Sequence, residues 1–110
     1  ARRSASAPAR LARYHPVSPS QVQAALSQLP GWTAVDDALT CEWRFATFVQ
    51  AMAFMADAAL EIDRLDHHPE WTNVYDRVRV RCCTHDAGNS ITSKDVELAK
   101  TLSWVAARFI

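Results

Sequence analysis

Residues 65–71 read LDHHPEW, and this stretch marks the change from a helical pattern to a strand pattern. From Thr47 to about Asp66 the chain has no glycine or proline, and its apolar side chains recur at helical spacing. Pro69 lacks a backbone N–H and forces His68 toward extended geometry, so we predict that the helix stops here. Beyond the proline, apolar and polar residues alternate as they do in strands. The stretch therefore predicts a long central helix followed by a β-hairpin.

Two further helices are predicted, one on each side of this centre. Ser18 is the expected N-cap of the first helix, which the Pro-Gly pair at residues 30–31 ends. The last helix covers about residues 94–108, with Thr92 or Ser93 as its cap. Both begin at cap residues of the kind that start helices in globular domains.

The two longer helices are predicted to bury one apolar stripe each. On the central helix the stripe comprises Phe48, Met52, Met55, Ala59 and Ile62. On the last helix it comprises Leu98, Leu102, Val105 and Phe109, with Trp104 alongside. Stripes of this composition are almost always core.

Four strands are predicted, at about residues 32–35, 39–46, 72–75 and 77–84. The element order is α-β-β-α-β-β-α, which predicts an α+β fold. We expect a four-stranded antiparallel sheet with three helices packed on one face. The other sheet face is expected to be uncovered.

An arginine row lies on one face of the last predicted strand, where Arg77, Arg79 and Arg81 alternate with apolar residues. A solvated sheet face with cross-strand partners explains such a row most simply. A surface that binds an anion or a protein partner is the functional alternative.

The composition is that of one globular domain. The chain has 110 residues, of which 49% are hydrophobic and 22% charged. Its 12 basic and 12 acidic side chains cancel, so we expect no direct binding to nucleic acid or to a membrane surface. No apolar run approaches the roughly 20 residues of a membrane span. The three cysteines, two of them adjacent, suit a reducing compartment better than a disulfide framework.

Residues 1–16, ARRSASAPARLARYHP, differ from the rest because they hold four arginines and no acidic residue. This composition predicts a flexible basic tail before a single domain at residues 17–110. The alternative is a remnant of an Arg- and Ser-rich transit peptide.

The histidines are the candidate chemical groups. His67 lies four residues after Asp63, so on a helix the two side chains share a face and the carboxylate can fix the ring tautomer. His68 would diverge from His67 by about 100° in a continuous helix, but a break at Pro69 lets both rings approach one pocket. His85 lies at the C-terminal end of the last predicted strand. A helix end and a strand end are therefore expected to bring three imidazoles together.

Three interpretations of these histidines compete. Histidines near a helix C-terminus can serve the helix dipole, which suits one histidine better than three. Three histidines are also a common zinc set, although adjacent histidines rarely chelate one ion and no HExxH or CxxC spacing is present. The third interpretation is general acid/base catalysis on a small molecule, because imidazoles exchange protons near neutral pH. Trp71 would offer its flat face to a planar heterocycle.

The stretch LDHHPEW, with NVYDRVRVRCCTHDAG at residues 73–88, closely resembles the pterin-4a-carbinolamine dehydratases. That family also includes the dimerization cofactor of a homeodomain transcription factor, and the resemblance covers nearly the whole chain after the tail. It implies dehydration of 4a-hydroxytetrahydrobiopterin to quinonoid dihydropterin in tetrahydrobiopterin recycling. It implies that neither a metal nor an organic cofactor takes part.

The resemblance also implies the site residues. His67, His68 and His85 are expected to form the acid/base set around the pterin, with the direction of each proton left open. The residues expected to bind the substrate are Asp63, Asp66, Trp71, Cys83, Thr84 and Asp86.

Three features depart from the family's pattern. Asp63 stands where glutamate is usual, and Cys83 stands where serine is usual. The family's supporting carboxylate corresponds to Asp95, but the loop between His85 and Asp95 is one residue longer than usual. The role of Asp95 is therefore left open.

The partners follow from the same resemblance. A homodimer or homotetramer is implied, with the cytoplasm as the expected compartment and a nuclear or organellar location left open. The rival class is a non-catalytic dimerization cofactor, or transcriptional coactivator, that pairs with a transcription-factor helix, or a pterin-binding module. A zinc hydrolase is the third class.

Overall fold

The computed structural model describes residues 15–110, and its elements follow the predicted order. They are α1 (Pro19–Leu26), β1 (Thr33–Val35), β2 (Ala38–Arg44), α2 (Phe48–Leu65), β3 (Glu70–Val74), β4 (Arg77–Cys82), a short 3-10 helix (His85–Ala87) and α3 (Ser93–Ala106). The predicted tail over residues 1–16 lies outside the described residues except for His15 and Pro16. The tail and the domain boundary therefore stay predictions.

The strands form one antiparallel sheet in the order β1-β2-β4-β3. One face of the sheet is core: Val78 and Val80 of β4 are fully buried there, under α2 and α3. Val22 and Leu26 of α1 pack against the edge of the same core. The predicted α+β class, a four-stranded antiparallel sheet with three helices, is confirmed.

The buried stripe of α2 is offset from the predicted one. The buried residues are Ala51, Phe54, Ala58 and Ile62. Of the predicted stripe, only Ile62 is buried, whereas Met52 and Met55 are half-buried and Phe48 and Ala59 are exposed. Residues 48–60 are apolar on almost every side, so the sequence does not fix which side faces the sheet.

Within the described residues no helix, α2 included, is long and apolar enough to cross a membrane.

The predicted stripe of α3 is confirmed at Leu98, Leu102 and Val105, which are buried, while Phe109 is half-buried just beyond the helix. The prediction that Trp104 joins them is wrong, because Trp104 is 62% exposed. Its ring is covered instead by the Arg108 guanidinium, 4.3 Å from the ring centroid. Successive residues of a helix point about 100° apart, so the neighbour of buried Val105 faces away from the sheet.

The arginine row lies on the sheet face that no helix within residues 15–110 covers. Arg81 lies 3.8 Å from a carboxylate oxygen of Glu70 on β3. Arg79 is opposite Glu42 of β2 in the strand register. These cross-strand partners favour the solvated-face interpretation over a dedicated anion site.

Candidate active site

The site begins where α2 ends. Asp66 adopts left-handed backbone geometry, with φ 54° and ψ 41°, and its N–H donates to the carbonyls of Asp63 and Ile62. A residue in this conformation directly after the last helical residue is a common helix stop. The predicted extent of the helix, to about Asp66, agrees with its end at Leu65, but the expectation that Pro69 stops it at His68 is wrong, because the Asp66 turn ends it first. His67 and His68 both lie outside the helix, and the Asp66 turn sets their directions.

His67 is directed into the protein and pairs with Asp95. Its Nε2–H donates to Asp95 Oδ1 over 2.6 Å. The His67 side chain is 14% exposed and that of Asp95 is 0% exposed. The predicted pairing of His67 with Asp63 is wrong, because it assumed a helix that continues through His67. Asp63 lies beside His68 instead, with 3.6 Å between Asp63 Oδ1 and His68 Nε2.

The second oxygen of Asp95 is held from two directions. Oδ2 accepts from the Thr84 hydroxyl at 2.7 Å and from the Thr92 backbone N–H at 2.9 Å. Thr92 and Asp95 form a capping box at the start of α3, the T-x-x-D signal that sequence reasoning did not use for the site. The carboxylate thus connects the start of α3, the chain after β4 and the chain after α2. This places Asp95 in the site, although the sequence left its role open.

His68 and Trp71 line one cavity of about 400 Å³. Its wall is completed by Asp63, Pro69 and a face of α2: Ala59, Leu60 and Ile62. The volume lies in the range of small-molecule sites, roughly 300–1,000 Å³. The His68 side chain is 58% exposed, so its ring is accessible to a ligand there. Asp66 is also exposed, on the turn before the two histidines.

His85 and Asp86 are exposed on the 3-10 helix that follows Thr84. Thr84 itself is buried and hydrogen-bonded to Asp95, which in turn binds His67. His85 is therefore the chain neighbour of a residue that lies two hydrogen bonds from His67. The structure brings His67, His68 and His85 to one end of the sheet. Of these three, only His67 is directed into the protein.

Within residues 15–110 the hydrogen bond of the Cys83 thiol is with Arg81 rather than with these groups. Cys83 follows the end of β4 and approaches Arg81 of the uncovered face, with 3.7 Å between Sγ and Nη1. Burial raises the pKa of the Cys83 thiol, while the Arg81 charge lowers it. Burial also raises the pKa of Cys41 to about 11 and that of Cys82 further. No thiol is activated as a nucleophile here, because activation requires a lowered pKa.

The chemistry that these groups offer is proton exchange. Among residues 15–110, no group of three or more His, Cys, Asp or Glu side chains is placed to hold a metal ion. A carboxylate that accepts from one ring nitrogen fixes the tautomer of the ring and stabilises the imidazolium that forms on protonation. The acceptor nitrogen of His67 is therefore Nδ1, and the next residue in the chain, His68, lines the cavity.

Comparisons with known proteins identify relatives of this chain. A family model described as "Pterin 4 alpha carbinolamine dehydratase" matches residues 15–105. A curated relative from Opitutus terrae is 53% identical over 89 residues, which cover 78% of this chain and 92% of that protein. Another, from Rhizobium rhizogenes, is 44% identical over 98 residues, which cover 87% of this chain and 96% of that protein. Each is called "Putative pterin-4-alpha-carbinolamine dehydratase".

A solved structure matches the fold as well. The crystal structure of a "transcriptional coactivator/pterin dehydratase" from Brucella melitensis has a TM-score of 0.79 and 40% sequence identity. The match covers 84% of this chain and 99% of that chain.

Proposed function

Because the chain belongs to the pterin 4 alpha carbinolamine dehydratase family, we propose that it dehydrates 4a-hydroxytetrahydrobiopterin to quinonoid dihydropterin. The reaction is a hydro-lyase step. It breaks the C4a–O bond, forms the C4a=N5 double bond, removes the N5 proton and releases water. One group must protonate the departing hydroxyl and another must accept the N5 proton. Two histidines satisfy both requirements, so the proposal includes no metal and no organic cofactor.

The observation that carries the proposal is the hydrogen bond between His67 and buried Asp95. It leaves the Nδ1 lone pair of His67 as the proton acceptor, and the carboxylate stabilises the imidazolium once the proton arrives. We therefore assign to His67 the removal of the N5 proton. His68 and His85 are exposed, and we assign to them the binding and protonation of the 4a-hydroxyl.

The pterin ring is proposed to occupy the cavity beside Trp71. The indole offers a flat apolar face, while Asp63 at the same cavity offers a carboxylate to N–H groups of a pterin. Asp66, Thr84 and Asp86 flank the three histidines in the chain. Through their backbone groups they are proposed to line the rest of the site. Cys83 is also adjacent in sequence, and its contribution would come from its backbone.

The test is the rate at which 4a-hydroxytetrahydrobiopterin is dehydrated, measured by stopped-flow absorbance against the uncatalysed rate in the same buffer. Wild-type protein is expected to exceed that rate. General acid/base catalysis contributes about 10²–10⁴-fold, so His67→Ala is expected to lose most of the gain and His85→Ala a large part of it.

His15→Ala is the matched control, because His15 is exposed and lies outside the proposed site. It should turn over the substrate like wild type. A wild-type rate no faster than the uncatalysed one would refute the enzyme proposal. Full activity of His85→Ala would remove only the role given to His85.

The pathway and compartment are part of the proposal. Dehydration of the carbinolamine serves tetrahydrobiopterin recycling, and we place it in the cytoplasm. Within the described residues Cys41, Cys82 and Cys83 are all free and buried, as expected in a reducing compartment. Fractionation of cells that express a tagged chain tests this: recovery with a membrane or organelle fraction would contradict it.

A coactivator role is the second candidate, and the similarity to a transcriptional coactivator/pterin dehydratase from Brucella melitensis is the observation that favours it. This chain exposes large apolar side chains on two helices, among them Val49 of α2 and Trp104 of α3. We propose that such helix faces pair with further copies of the chain, as a dimer or tetramer, or with a transcription-factor helix. Sedimentation of the wild type, of Val49→Asp and of Trp104→Ala tests the self-association.

In a pull-down with a dimerization helix of a homeodomain transcription factor, these helix variants should lose the partner while His67→Ala retains it. Loss of the partner only in the histidine variant would refute this second role.

A further inference from the structure

Two buried threonines lie behind the carboxylate that holds His67. Thr84 is 3% exposed and Thr92 is 0% exposed, and their hydroxyl oxygens are 2.7 Å apart. The Thr84 hydroxyl also lies 2.7 Å from Asp95 Oδ2. These are short contacts between buried polar groups, so each hydroxyl proton has a defined acceptor.

The available protons fix the direction of the hydrogen bonds from Thr92 to Thr84 and from Thr84 to Asp95. An ionised Asp95 only accepts, so the single proton of the Thr84 hydroxyl goes to Oδ2. The contact between the two hydroxyls must then use the proton of Thr92. The Lys94 backbone N–H donates to the Thr92 oxygen at 3.2 Å, which leaves that proton free to point at Thr84. Each hydroxyl thus donates toward Asp95.

We propose that Thr92 is a positioning residue for His67 and that it acts through Thr84 and Asp95. The inference rests on the proposed dehydratase function and deepens it. Thr92 keeps the Thr84 hydroxyl aimed at Oδ2, so that the other oxygen of Asp95 stays directed at His67 Nε2. A donor that itself accepts a hydrogen bond is a stronger donor, which adds to the hold on the carboxylate.

The Thr84 side chain takes a positioning role instead of the predicted substrate-binding role. Its hydroxyl is buried, its proton is given to Asp95 and its oxygen accepts from Thr92. The hydroxyl proton is therefore not available to a pterin, and burial withholds the remaining lone pair of the oxygen. The side chain of Thr84 positions the carboxylate, and the substrate-binding role predicted for this residue is left to its backbone.

The test compares Thr92→Val, which keeps the shape but removes the hydroxyl, with Thr92→Ser, which keeps the hydroxyl. For Thr92→Val the kcat for carbinolamine dehydration is expected to fall about tenfold, the lower end of the loss for groups that orient metal-binding histidines, with KM within about twofold. Thr92→Ser should stay near wild type. A rise in KM at constant kcat, or failure of serine to restore kcat, would overturn the proposal.

Thr47→Val is the matched control, because Thr47 caps α2 as Thr92 caps α3, accepting from the Gln50 N–H at 3.1 Å. It loses a helix cap but none of the contacts to Asp95. If Thr47→Val lowers kcat as much as Thr92→Val does, the effect is loss of a cap and the proposal is wrong.

A second readout does not need the substrate. The His67 Nε2–H proton should give a downfield proton NMR signal that is absent from His67→Ala and shifted in Thr92→Val but not in Thr47→Val. An unchanged signal in Thr92→Val would overturn the positioning role. If wild type fails to turn over the carbinolamine while the signal shifts as expected, the proposed function fails and the positioning of His67 by Thr92 is still supported.

Discussion

Replacing Asp95 with asparagine should reverse the tautomer of His67 while leaving the shape of the site nearly intact. The Thr92 backbone N–H and the Thr84 hydroxyl both donate to one oxygen of Asp95. The backbone N–H cannot accept, so the amide oxygen of asparagine must take this side. The amide NH₂ then faces His67 Nε2, which has to accept. The ring proton moves to Nδ1, and the lone pair assigned to the N5 proton is lost.

The magnitudes follow from these contacts. A hydrogen bond to a charged group contributes about 1.5–3 kcal/mol, and asparagine replaces it by a neutral one, so we expect a loss of about 1–2 kcal/mol in the free energy of unfolding. A wrong tautomer removes the base, whose contribution is at least about 100-fold. The kcat of Asp95→Asn should therefore fall at least about 100-fold, equivalent to about 2.7 kcal/mol in the barrier.

Stopped-flow dehydration and urea unfolding measure the two effects on the same preparation. The matched control is Asp57→Asn, because the Asp57 side chain is 46% exposed and pairs with Arg108 over 3.6 Å, outside the proposed site. It should change kcat far less than Asp95→Asn does. If folded Asp95→Asn keeps a kcat within about threefold of wild type, a fixed His67 tautomer is not needed and the assignment of the base is wrong.

Three further predictions concern the fold. Phe54→Ala should lower the free energy of unfolding by about 3–5 kcal/mol in urea, because Phe54 is fully buried among aromatic rings, whereas partly exposed Phe48→Ala should cost less than about 1 kcal/mol. Native Cys41 and Cys82 should resist iodoacetamide at about pH 8, because burial raises both pKa values, and should react once unfolded. Asp66→Ala should cost about 1 kcal/mol at positive φ, whereas Asp66→Gly should not.

The controls for these predictions are internal. Equal costs for the two phenylalanine variants would contradict the offset of the α2 stripe.

The raised thiol pKa of Cys41 also gives a pH dependence with a definite sign. Folding keeps this thiol protonated above its ordinary pKa of 9.0 and up to about 11. The stability it contributes is fully present below pH 9 and is lost as the pH rises toward 11. A gain in stability over that range would contradict the burial of Cys41.

The element order and the sheet could be predicted because local signals decided them. Ser18, the predicted N-cap, does cap α1, and Gln21 completes a capping box with it. The alternation of Val78 and Val80 with arginines was sufficient to assign a sheet face. The side of α2 that faces the core was not predictable, because an almost wholly apolar helix is oriented by what packs on it. Ala51 and Ala58 are buried there through close packing, which hydrophobicity alone does not indicate.

The sequence indicated which residues belong to the candidate site, but not which of their side chains pair with each other. The sequence placed His67 with Asp63 because it extended α2 through a residue that instead turns left-handed. Aspartate at Asp66 tolerates that conformation, and no sequence rule makes it stop a helix there. Asp95 was noticed only through resemblance, although its capping box with Thr92 was readable. A helix cap whose carboxylate also holds a histidine looks like an ordinary cap in the sequence.

The most direct test of the account is a crystal structure with 7,8-dihydrobiopterin, a stable relative of the substrate. The pterin ring is expected in the cavity against Trp71, with N5 within hydrogen-bond distance of His67 Nδ1 and C4a facing His68 or His85. A pterin bound instead in the second groove, which is lined by Val17, Val22 and Asp36, would contradict it. So would a pterin in the predicted cavity with His67 turned away from N5.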